Sequence, residues 1–158
     1  MAKIRIDQAH CNFHLSRWLA NHDWRILFTD AGRVTRGGAG SQGNCLRIFE
    51  QLGLPIPDII AFRQSEMLII EIDKAFAKAA RSLESYRANM NRIVTELRLG
   101  VQLDVDQLSI GFCRTGLVKC PEQLLALSRL HVGLDLWVGF TGPGSLVCYW
   151  TGRAVFEK

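Results

Sequence analysis

Two short apolar runs, Ile59-Ile60-Ala61-Phe62 and Met67-Leu68-Ile69-Ile70, flank a polar Arg63-Gln64-Ser65-Glu66 turn, and no other stretch restricts the chain's folding as strongly. Branched and aromatic residues at this density, punctuated by turn formers, read as a hairpin of buried strands. The acids sit at its open end. Asp58 opens the first strand, and Glu71 and Asp73 close the second, two residues apart and therefore on one face of the pleat. Folding the hairpin brings both strand ends together.

A carboxylate at the edge of so apolar a hairpin loses hydration and gains nothing unless it is paired. A divalent cation cancels that cost. Mg²⁺ takes hard oxygen ligands, typically one or two carboxylates with waters and substrate phosphates, and Mn²⁺ is its usual substitute. Asp58 and Glu71 are therefore candidate metal ligands, with Asp73 a further ligand directly or through solvent. Lys74 follows them and is a candidate to hold or polarise an attacking water.

Pro57-Asp58, the hairpin, and Glu71 followed closely by Lys74 resemble the PD-(D/E)XK nuclease superfamily, with its restriction-endonuclease-like fold. Its motif is a Pro-Asp, a hairpin, then acid-x-Lys. The resemblance covers residues 42 to about 114. It implies a mixed α/β sheet flanked by helices, and a metal-dependent endodeoxyribonuclease in which Asp58, Glu71 and Lys74 are catalytic. One position departs from the pattern. Asp73 stands where the lysine belongs and Lys74 comes one residue later, pointing to the opposite face of a regular strand. Three arrangements stay open: a bulge at Ile72 or Asp73 that re-aims Lys74, Lys78 reaching in from the next helix, or a third acid and no lysine. The first is preferred. Glu50, on the helix before Pro-Asp, matches an acid that joins the metal site in several members. Ser82-x-x-x-Tyr86 sits where some relatives carry Gln-x-x-x-Tyr, without the glutamine.

Within that superfamily a type II restriction enzyme and a Holliday-junction resolvase both fit, and the sizeable region after residue 100 favours restriction. The expected partner is double-stranded or branched DNA. Cutting both strands with one such site per chain implies a homodimer. Two other readings are a catalytically inactive nuclease-fold module that binds DNA or protein, and an ordinary α/β domain whose acids are caps.

At 158 residues the chain is expected to form one domain, 1–158, around a single substantial core. Composition is that of a globular protein, 48% hydrophobic and 22% charged, and the net charge of +4 tilts towards an anionic partner. No apolar run reaches membrane-spanning length, and the N-terminal residues lack the apolar core of a signal peptide, so a cytoplasmic location is expected. Five scattered cysteines without a paired motif read as reduced thiols.

His10 and His14 lie four apart, the spacing of a helical metal pair, but no acid separates them and a surface or capping role is favoured. The glycine-rich, basic stretch at 32–44 places Arg33 and Arg36 among Gly37, Gly38, Gly40 and Gly43, and reads equally as a DNA-contacting loop and as a surface loop. It is not a Walker A loop. Helices are expected at 15–22, 45–53, 75–99 and 121–131, and further strands at 23–29, 105–114, 134–140 and 146–150.

Overall fold

The computed structural model of the chain describes residues 5–29, 41–131, 133–151 and 155–157. The glycine-rich stretch with Arg33 and Arg36 lies outside the described residues, apart from the start of the helix that follows it.

The hairpin forms as its pattern requires. Strand β2 (Ile59–Arg63) and strand β3 (Glu66–Asp73) pair antiparallel, with Arg63 opposite Glu66 and a two-residue Gln64-Ser65 turn. Gln64 takes a left-handed backbone, φ 57°, to close it. Strand β1 (Arg25–Thr29) adds antiparallel to β2. Its register shifts between Ile26 and Phe28, so that adjacent Leu27 and Phe28 both enter the same core.

Beyond β3 the chain crosses over to strand β4 (Gln107–Leu117), which runs parallel to β3 in unbroken register from Glu66 opposite Gln107 to Asp73 opposite Arg114. The crossover is helical but interrupted. Helix α3 (Phe76–Ala88) and helix α4 (Met90–Glu96) meet at Asn89, and a π-helical turn, Leu97–Val101, follows. The expected single helix over 75–99 is thus divided. Asn89 leaves helical geometry at φ −115°, ψ 19°, and its side chain donates to the Ser85 carbonyl at 2.8 Å while accepting from Arg92, the local competition with helix bonds at which asparagine is adept.

A second crossover, through helix α5 (Glu122–Leu130), leads to strand β5 (Leu136–Gly142), parallel to β4. The expected hairpin follows, β5 pairing antiparallel with strand β6 (Ser145–Trp150), and strand β7 (Val155–Glu157) adds to β6. Among the described residues, seven strands form one mixed sheet in chain order.

Both faces of the sheet are covered. Ile60, Met67 and Ile69 belong to a core with residues of helix α2 (Ser41–Gln51), α3, α4 and α5. Ile59, Ala61, Leu68 and Ile70 belong to a core with helix α1 (Gln8–Asn21). Two-sided burial explains why β2 and β3 read as continuous apolar runs rather than as an alternation. Helix α1 starts seven residues before the expected Leu15, its first turn closed by Asp7, whose side chain accepts from the His10 N–H at 2.9 Å. All five cysteines are free thiols. Among the described residues no helix is long and apolar enough to cross a membrane.

Candidate active site

Asp58 and Glu71 meet where the open end of the hairpin reaches the carboxyl edge of β3, the edge at which α/β sheets commonly hold ligands. The β2–β3 ladder continues one step beyond Ile59 opposite Ile70, through the Asp58 N–H bond to the Ile70 carbonyl at 3.1 Å. The two carboxyls lie within hydrogen-bonding reach of one another.

Asp58 is only 7% exposed, and both of its oxygens are engaged. The Ile72 backbone N–H donates to Oδ2 at 2.7 Å, and Gln8 Nε2 donates to Oδ1 at 2.7 Å. Asn12 Nδ2 approaches the Asp58 carbonyl at 3.4 Å. Gln8 and Asn12 stand one turn apart on α1, so the helix on one face of the sheet fixes this acid.

Glu71 is fixed from the other face. Tyr86 of α3, fully buried, donates to Glu71 Oε1 at 2.6 Å and also approaches the Pro55 carbonyl at 3.0 Å. Burial pushes the Glu71 carboxyl up to about 8, assisted by the charges of Asp58 and Asp73 and opposed by the Tyr86 hydrogen bond. The Tyr86 hydroxyl is raised too, by burial and by the neighbouring Glu71. Two carboxyls buried together disfavour double ionisation, because like charges in a desolvated site repel.

The remaining candidates fall differently. Asp73 acts electrostatically on Glu71, but its Oδ1 accepts from the backbone N–H of Lys74 at 2.7 Å and of Ala75 at 3.4 Å, forming the turn that leads into α3. Lys74 is exposed, one residue past the end of β3. Because the β3–β4 register is regular through Asp73, no bulge at Ile72 or Asp73 re-aims it. Lys78 is likewise exposed, on α3. Glu50 is exposed on α2 and is not among the charges acting on Glu71. Arg33 and Arg36 lie outside the described residues. His10 and His14 sit on α1 with ring centroids 4.2 Å apart, packed against Phe140.

Gln8 carried no signal in the sequence, since a glutamine in a helix's first turn is ordinary.

The donor chemistry suits a hard cation. Asp58 and Glu71 offer only oxygens, and a divalent ion would replace the proton they otherwise share. Among the described residues no three His, Cys, Asp or Glu side chains are grouped closely enough to hold a metal ion together. Compared with protein-family models, curated proteins and solved structures, the chain matches none.

Proposed function

We propose that the chain is a Mg²⁺-dependent endodeoxyribonuclease of the restriction-endonuclease-like type, acting on double-stranded or branched DNA and closer to a type II restriction enzyme than to a junction resolvase. The contact between the Asp58 and Glu71 carboxyls at the end of the hairpin carries this reading.

Asp58 and Glu71 would hold the ion, with Asp73 adding negative charge nearby. Bound there, the ion would supply Lewis-acid chemistry for phosphodiester hydrolysis. The chain's own residues prepare the place. Ile72 N–H and Gln8 keep Asp58 aimed, Tyr86 keeps Glu71 aimed, and release of the Glu71 proton makes the pair anionic. Lys74, on the solvent side, is suited to steer the scissile phosphate or its attacking water. Cutting both strands requires two copies, hence a homodimer.

A second reading, a nuclease fold that binds without cutting, is favoured by one observation. The unbroken register through Asp73 leaves Lys74 outside the strand, and the family's lysine position holds an acid.

Cleavage of linear duplexes and of a four-way junction, each in Mg²⁺ and in Mn²⁺, separates the possibilities. Asp58→Asn and Glu71→Gln are each expected to lower the rate about a thousandfold, corresponding to several kcal/mol of transition-state stabilisation. Junction-only cutting selects the resolvase. DNA binding without cutting in either metal, unchanged by Asp58→Asn, selects the inactive module.

A further inference from the structure

Helix α1 presents a polar stripe that the acid pair does not use. His10, His14, Arg17 and Asn21 recur at steps of four, three and four residues, so they lie along one side of the helix. That side faces the β5–β6 hairpin. His10 Nε2 meets the Pro143 carbonyl at 2.5 Å, and His14 packs on Phe140.

Between helix and hairpin runs a cavity of about 690 Å³. Its polar lining is His14, Arg17 and Asn21 from α1 and Thr141 and Ser145 from the hairpin, with Trp18 also lining it. A guanidinium, an imidazole, a carboxamide and two hydroxyls can all donate hydrogen bonds, and among the described residues no carboxylate lines the cavity. Among the charges acting on His14 both are basic: burial lowers its pKa first, then His10 and Arg17 lower it further. The stripe repels itself, and an anion would relieve that repulsion.

Beside two of the lining residues stands Phe13, 55% exposed, with the Arg17 guanidinium 5.5 Å from its ring centroid and His14 edge-on at 5.2 Å. An exposed aromatic ring beside a basic groove is the combination that holds unpaired nucleotides: phosphates along the positive side, bases stacked on the ring. The stripe starts two residues from Gln8, which contacts Asp58, so the groove leads away from the acid pair along α1.

We propose that the groove between α1 and the β5–β6 hairpin binds one unpaired nucleic-acid strand, its phosphates on Arg17 and His14 and a base on Phe13. The choice of nucleic acid among phosphate-bearing polymers rests on the nuclease reading; the donor-lined groove does not.

Fluorescence anisotropy with a labelled single-stranded oligonucleotide of about 12 nucleotides, in EDTA so that nothing is cut, tests it. Arg17→Glu is expected to weaken binding by about tenfold, Arg17→Ala to reduce the salt slope by about 0.7, and Phe13→Ala to cost about fivefold or more. Arg17→Lys should retain most of the affinity. Arg17 and Phe13 are both exposed, and thermal melts of each variant matching the wild type establish that the fold is intact. Wild-type binding that survives Arg17→Glu and Phe13→Ala overturns the proposal. So does no binding by the wild type. A chain that binds through the groove but cuts nothing in Mg²⁺ or Mn²⁺ retires the nuclease reading and leaves the groove standing. A chain that cuts, and binds without regard to Arg17, does the reverse.

Discussion

A single proton decides the state of the acid pair. Glu71 is raised from 4.5 to about 8, so the native state keeps that proton over a range in which the unfolded chain has released it. Between these two values the native state binds more protons than the unfolded one, and the free energy of unfolding falls as pH rises. Above about 8 the loss is complete. In EDTA, urea midpoints measured near pH 5 and near pH 8.5 should therefore fall, and Glu71→Gln, which cannot ionise, should flatten the dependence. An unchanged slope in Glu71→Gln would place the titrating group elsewhere. Tyr86 acts in the opposite direction, because its hydrogen bond favours the ionised carboxylate. Tyr86→Phe should push the Glu71 titration higher still, as read from the side-chain ¹³C carboxyl resonance. The meeting of Asp58 with Glu71 was legible in the sequence, because hairpin geometry alone brings the two strand ends together. Gln8 was not, because fifty residues separate it from Asp58 and only the docking of α1 across the sheet joins them.

At the scale of elements, legibility followed periodicity. The buried strands and the turns between them lie close to where apolar runs and turn residues place them. Helix α1 was half hidden because its buried stripe runs through Cys11 and Asn12 before reaching Leu15, Trp18 and Leu19, and a polar asparagine breaks the apolar rhythm. The break at Asn89 was invisible for the opposite reason: the apolar steps continue through Met90, Ile93 and Leu97, although the backbone does not continue as one helix. One glycine that the packing requires stands where α5 lies on the sheet. A Cβ at Gly139 of β5 would stand 3.0 Å from Leu124 Cδ2 and 3.0 Å from Val118 Cγ1, tighter than packed side chains tolerate without moving. Gly139→Ala should cost about 1–3 kcal/mol in chemical denaturation. Gly144→Ala, in the β5–β6 turn where an added methyl meets nothing within 4 Å, is the neutral control. Equal stability of the two variants would mean that α5 shifts freely on β5.

The whole molecule is two apolar layers sharing one sheet, and the acid pair is tied to both. Gln8 and Asn12 reach Asp58 from the α1 layer, while Tyr86 reaches Glu71 from the α3 layer. Leu15 belongs to the first core and Leu83 to the second, each essentially buried. Leu15→Ala and Leu83→Ala should each cost about 2–5 kcal/mol. Because every central strand contributes to both cores, each substitution should move one cooperative transition, with tryptophan fluorescence and far-ultraviolet circular dichroism giving the same midpoint. Metal linkage adds a test that reaches the site itself. A cation that binds the native pair and not the unfolded chain stabilises by about 2.7 kcal/mol at a hundredfold excess over its Kd. Mg²⁺ at that excess should raise the stability of the wild type, Leu15→Ala and Leu83→Ala, with the largest shortfall in whichever variant loosens the layer that aims its carboxyl. Asp58→Asn should show no gain. A gain from Mg²⁺ that persists in Asp58→Asn would locate the ion away from the hairpin's end, and the pair would then be a buried acid contact sharing a proton and nothing more.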